Sequence, residues 1–184
     1  MLAASIKWFC LLLFIHNETN YYVCNDTGSS YHYVLQWWLR RQYMLIRELL
    51  DSGDATAVAV TAPSRPSLNY GGLRAHCDDI AGQLAFLGLV SGDRVAIVLP
   101  NGPEMATCFL AVASQFSAAP LNPAYKQSEY LFYLEDLAPK LVIVADGSDN
   151  PVRAAATELG ISVIEAKVAD GAAAGLFSLC DGTA

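Results

Sequence analysis

Few side chains in this 184-residue chain are of a type and spacing that could carry chemistry. Two pairs of adjacent carboxylates stand out, Asp78-Asp79 and Glu135-Asp136. A general acid and a general base must converge on one bond, whereas neighbours on a helix point about 100° apart, so both pairs read as solvated helix surface. The five cysteines (Cys10, Cys24, Cys77, Cys108, Cys180) include no Cys-x-x-Cys pair, and only three histidines (His16, His32, His76) could complete a ligand set. That pattern disfavours zinc and reads as reduced, partly buried thiols packing as small hydrophobes. His76 adjoins the polar side of a helix and is expected in solvent. No G-x-S-x-G places a serine on a nucleophile elbow. Phosphate chemistry would need a glycine-rich cradle, yet neither G-x-G-x-x-G nor G-x-x-x-x-G-K-[ST] occurs. Gly71-Gly72 opens a helix and reads as a turn. The residues themselves therefore assign no catalytic, cofactor-binding or metal-ligating position.

The elements that would position any site are clearer. Leu45, Ile46, Leu49 and Leu50 follow helical spacing until Asp51-Ser52-Gly53 ends the run. A strand over 56–61 and a short extended piece over 67–70 flank the turn Ala62-Pro63-Ser64-Arg65-Pro66. Leu73, Cys77, Ile80, Ala81, Leu84 and Leu87 mark one face of the next helix, and Gly88 stops it. Arg94 to Leu99 is a continuous, largely β-branched apolar run, as a central strand covered on both faces requires. Pro103 suits the first position of the following helix, which runs to about Phe116, because its missing N–H would have no partner there.

Further along, 118–121 reads as a strand and 128–137 as a helix with Tyr130, Leu131, Leu134 and Leu137 inward. A buried strand over 141–145, a helix over 151–159 stopped by Gly160, and a strand over 161–164 complete the pattern. The order β-α-β-α-β-α-β calls for an α/β fold: a mainly parallel sheet with helices on both faces. After Glu165 the signal fades into Ala169 to Gly175 (ADGAAAG), and 170–184 is expected to be a flexible tail.

Composition separates a front segment from the rest. All three tryptophans (Trp8, Trp37, Trp38) and five of nine tyrosines fall in the first 46 residues. Four basic and three acidic side chains in residues 1–50 give a net of +1, leaving −8 for the remainder of a chain whose total is −7. Clustered Lys and Arg are missing, Arg40-Arg41 being the sole adjacent basic pair, which excludes a nucleic-acid partner. Trp8 to Ile15 (WFCLLLFI) matches a signal-peptide core in length but is shorter than the roughly 20 residues a spanning helix needs. Secretion and membrane attachment are both disfavoured. The expected organisation is an atypical Trp/Tyr-rich leader over 1–44, a partial domain over 45–169 and the tail over 170–184.

Four ordered segments carry a resemblance: LNYGGL (68–73), GDRVAIVLPNGPEM (92–105), FLAVASQFSAAPLNPAY (109–125) and YLFYLEDLAPKLVIV (130–144). Together they resemble the amino-terminal region of adenylate-forming (AMP-binding) enzymes, the superfamily of acyl-CoA synthetases, luciferases and nonribosomal peptide adenylation domains. AAPLNPAY and the following FYLED are most similar to oxalate-CoA ligases and their 4-coumarate-CoA-ligase-like relatives. The resemblance implies a partial amino-terminal domain of an enzyme that joins a small carboxylic acid to CoA. ATP and Mg would form an acyl-adenylate, and the CoA thiol would displace AMP.

In that superfamily the phosphate loop ending in lysine, the aromatic-Gly-x-Thr-Glu segment and the ribose-binding aspartate lie further along the chain. The matched segments are scaffold, so the resemblance transfers no catalytic or ATP-binding role to any residue, and this stretch alone is expected to be inactive. Asn101 and Asn122, each beside a proline after a strand, are expected to matter as turn and cap residues. A cytoplasmic location is expected, a peroxisomal one also fitting the superfamily. A half sheet with an unpaired edge suggests self-association or service as a non-catalytic interaction module.

Overall fold

Local capping fixes the elements that lead into the sheet. The computed structural model describes residues 46–181. A short helix, α1 (Ile46–Asp51), buries Leu50 and leads to an antiparallel pair, β1 (Val58–Val60) with β2 (Leu68–Asn69). Asn69 then caps α2 (Tyr70–Phe86), its Oδ1 accepting the Gly72 N–H at 2.8 Å. Gly72 leaves room for Leu68, whose side chain would lie 2.8 Å from an added Cβ. Gly88, at φ +91°, lets the chain leave the helix.

From there strands and helices alternate. The strands are β3 (Arg94–Val98), β4 (Ser117–Pro120), β5 (Leu141–Ala145) and β6 (Ser162–Lys167). They are joined in turn by α3 (Pro103–Ala113), α4 (Gln127–Leu137) and α5 (Val152–Glu158). A last strand, β7 (Ser178–Asp181), returns antiparallel to β6. The five-stranded sheet has the order β4-β3-β5-β6-β7, with β4, β3, β5 and β6 parallel.

Alternation along β3 and β5 assigns each face its helices. Val95, Ile97, Leu141 and Ile143 join one core with Cys77, Ile80 and Leu84 of α2 and Cys108, Ala111 and Val112 of α3. Ala96, Val98, Val142 and Val144 join a second with Tyr130 and Leu134 of α4 and Val152, Ala155 and Ala156 of α5. Runs such as VAIV and LVIV are apolar throughout because both faces are covered, each fully buried aliphatic side chain contributing about 1.5–3 kcal/mol.

The expected α/β architecture is therefore the observed one, with four differences of detail. The middle strand is β5, with β3 one place from the β4 edge. Helix α3 stops at Ala113, before Phe116, which is itself buried. His76 is buried, 7% exposed, and not solvated. Finally, the stretch expected as a flexible tail contains β7, with Ala174 and Phe177 buried ahead of it. The expected leader over 1–44 and the Trp8 to Ile15 run lie outside the described residues. No helix among the described residues is long and apolar enough to cross a membrane.

Candidate functional site

In an open parallel sheet, ligands settle beyond the carboxyl ends of the strands where the strand order reverses. Here β3 connects to β4 on one side and is flanked by β5 on the other, so the point where the strand order reverses lies between β3 and β5. The loops after β3 (99–102), β4 (121–126) and β5 (146–151) border it.

Two asparagines of these loops bond to the chain's own groups, while Ser148 Oγ in the loop after β5 is buried without a hydrogen-bond partner among the described residues. Asn122 accepts the Ala124 N–H on Oδ1 at 3.0 Å, and its carbonyl accepts the Tyr130 hydroxyl at 2.8 Å. Asn150 donates from Nδ2 to the Pro123 carbonyl at 2.9 Å while its Oδ1 accepts the Val152 N–H, tying the β4 loop to the start of α5. Asn122 is thus the turn residue expected. Asn101 lies exposed between β3 and α3, where Gly102 takes the cap position. Tyr125 stacks on Tyr133 with ring centroids 5.1 Å apart.

The amino end of α3 would suit an anion, because its first N–H groups and the helix dipole point outward. It carries the carboxylate of Glu104 instead. Glu104 accepts from Arg65 Nη1 and from the Gly175 N–H at 3.2 Å. Arg65 also donates to the carbonyls of Ala172 at 3.1 Å and Ala173 at 2.9 Å. The buried Thr107 donates its hydroxyl to the Gly175 carbonyl at 2.6 Å. Only glycine fits that spot: φ is +88°, and an added Cβ would lie 2.5 Å from Thr107 Cγ2. These bonds form a clasp holding the 172–175 segment against α3.

The paired carboxylates do not converge on a site. Asp78 forms an ion pair with Arg47, and Asp79 accepts from Gln83 at 2.8 Å on the same exposed helix face. Glu135 and Asp136 are exposed on α4. Both N–H groups of Gly71-Gly72 are used within the fold, by the Ala55 carbonyl and by Asn69. Burial raises the thiol pKa of Cys77 to about 11 and of Cys108 to about 12, so both are kept as unreactive thiols.

One grouping was not foreseen from the sequence. Asp146, Glu165 and Cys180 bring potential ligand atoms within 4.8 Å of one another. They come from three neighbouring segments, and only the pairing of Glu165 with Cys180 across β6 and β7 reveals it. Cations already serve this cluster: Glu165 is paired with Arg153, which holds its carboxyl below the usual range, and Lys167 lies 3.8 Å from Asp146. A separate open groove of about 570 Å³ runs between the second half of α2 and strands β6 and β7.

The AMP-binding enzyme family matches residues 49–176. The oxalate–CoA ligase of Arabidopsis thaliana is 38% identical over 95 residues, 51% of this chain and 18% of that protein. The probable CoA ligase CCL9 of Humulus lupulus is 34% identical over 129 residues, 70% of this chain and 24% of its own. Among solved structures, apo MatB from Rhodopseudomonas palustris superposes with a TM-score of 0.60 at 26% identity, over 76% of this chain and 30% of that one. The chain thus spans between 18% and 24% of the length of these two curated relatives. The resemblance carried by LNYGGL, GDRVAIVLPNGPEM and the two later segments agrees with these comparisons, and the chain belongs to the AMP-binding enzyme family, alongside CoA ligases.

Proposed function

We propose that residues 45–169 are a scaffold portion of an AMP-dependent acid–CoA ligase, which in whole form converts a carboxylate, ATP and CoA to an acyl-CoA through an acyl-adenylate. Oxalate is the leading acid, on the likeness to the Arabidopsis ligase. ATP, Mg and CoA are the reactants this reading implies, and the cytoplasm is the compartment it favours. The observation that carries it is the family match over 49–176, which coincides with a stretch built as packed sheet and helices. The loops at its strand ends are tied by Asn122, Asn150 and Glu104 to the chain's own groups. These ties hold the loops as structural turns, and the phosphate loop ending in lysine that the family resemblance places further along the chain would be the part that neutralises a reacting phosphate.

The expected outcome is therefore no ATP-dependent pyrophosphate release by the isolated 184-residue chain with oxalate, and no CoA thioester. Activity of the isolated chain with any small acid would overturn the scaffold assignment. An open reading frame extended downstream should encode a Ser/Thr/Gly-rich loop ending in lysine, and its absence would remove the ligase reading of the gene. A second reading, a non-catalytic interaction module that self-associates, draws on the β7 edge, whose far side no other described strand pairs.

A further inference from the structure

Asparagine is a thermolabile residue because its side chain can react with its own backbone. The nitrogen of the next residue attacks Cγ, closing a five-membered succinimide and expelling ammonia. That attack needs a free N–H on the following residue and a side-chain amide held by nothing else. Three of the four asparagines among the described residues do not meet these conditions. Asn122 and Asn150 precede Pro123 and Pro151, whose ring nitrogens carry no hydrogen. Asn69 precedes Tyr70, whose N–H donates to the Ala57 carbonyl at 2.9 Å, and its own Oδ1 caps Gly72. Asn101 differs on each count. It lies exposed in the loop after β3, and neither its side-chain amide nor the Gly102 N–H bonds to a group among the described residues. Gly102 is itself exposed and extended, at φ 171° and ψ −175°, with nothing closer than 3.9 Å to where a Cβ would stand.

We infer that Asn101 is a modification site, converting spontaneously to aspartate and isoaspartate through attack of the Gly102 nitrogen on its Cγ. The step balances without a cofactor or an oxidant. The N–Cγ bond forms as the Cγ–Nδ2 bond breaks, and the proton of the Gly102 N–H leaves with the departing nitrogen as ammonia. Water then breaks the N–Cγ bond to give aspartate, or the bond from that nitrogen to the Asn101 backbone carbonyl carbon to give isoaspartate. Either product adds one carboxylate to a chain of net charge −7. The isoaspartyl form also lengthens the connection between β3 and α3 by one methylene. The new charge arrives in a loop that borders the reversal of strand order, ahead of the first turn of α3, whose dipole favours an anion. Glu104 is the charged neighbour on that turn, its Oε2 3.9 Å from a Cβ built at Gly102, and Arg65 is paired with it. The inference is independent of ligase activity.

Ageing the full, folded chain in warm, mildly alkaline buffer and digesting it with trypsin for tandem mass spectrometry tests this, a fresh sample digested in parallel setting the zero. The peptide 95–126, which carries Asn101, should gain about 1 Da, as exchange of an amide for a carboxylic acid does, and should resolve into two isomers of equal mass. The peptide carrying Asn69 should keep its mass. Gly102→Ala should slow the conversion several-fold, because a methyl group then crowds the attacking nitrogen. Extended backbone and open space around Gly102 accommodate alanine, so that variant keeps its fold. Asn101→Gln should reduce the mass gain to background, since the longer side chain must close a less favourable six-membered ring. An unchanged peptide 95–126 in the aged native chain would overturn the inference, as would a rate indifferent to Gly102→Ala or equal conversion at Asn69. The pyrophosphate assay is read separately, so an inert Asn101 and a failed ligase assignment cannot be confused.

Discussion

His76 follows Leu73 by three residues and precedes Ile80 by four, a spacing that sets it on the apolar face of α2. The ring packs edge-on against Phe177 with centroids 4.7 Å apart, and Nε2 is buried without a hydrogen-bond partner among the described residues. Burial disfavours the imidazolium and lowers the pKa from its ordinary value of 6.5, with Asp79 on the next turn opposing it only in part. The unfolded chain therefore binds a proton that the folded chain resists. Stability from this residue is full above pH 6.5 and declines as pH falls toward the depressed folded value, by at most about 1.4 kcal/mol per pH unit. Denaturant titrations at about pH 8 and about pH 5 should show the loss, and His76→Phe should flatten it. An unchanged slope in that variant would mean that other groups set the acid sensitivity. The spacing was visible in the sequence; the expectation of a solvated ring came from weighing its polar neighbours above its register.

Strands β3 and β5 were legible because VAIV and LVIV admit no other reading in an α/β alternation, and α2 because Asn69, its apolar stripe and Gly88 mark start, face and stop. Strand β7 was not. Its four residues, SLCD, have one aliphatic side chain and no measurable period, and they become a strand only by pairing with β6. The Asp146, Glu165 and Cys180 cluster was hidden for the same reason, since register and not spacing brings it together. The return of the chain to β6 depends on the clasp of Arg65 and Glu104 with the 172–175 backbone, both side chains being largely out of solvent at 25% and 21% exposure. Removing one partner strands the other, at a cost of about 1–3 kcal/mol for each buried polar group left unmade. Arg65→Ala should accordingly speed hydrogen exchange through 172–181 while β3 and β5 keep their protection. Equal acceleration of all strands would show that the clasp is part of the central core and not a local latch.

At the scale of the whole described fold, the two cores are separated only by the sheet they share. Ile143 points into the core of α2 and α3, whereas its neighbours Val142 and Val144 point into that of α4 and α5. A cavity on one face shifts the backbone that also carries the other face, because packed interiors deform little before they give way. Ile143→Ala, at a fully buried site, should cost about 2–5 kcal/mol, and Leu134→Ala on the opposite side a similar amount. If the strands couple the layers, each variant raises exchange in α2, α3, α4 and α5 alike, those of its own face and those across the sheet. If the faces open independently, Ile143→Ala exposes α2 and α3 and leaves α4 and α5 protected. We expect the coupled result, since β3 and β5 contribute alternate side chains to both cores and neither layer retains a hydrophobic surface without them.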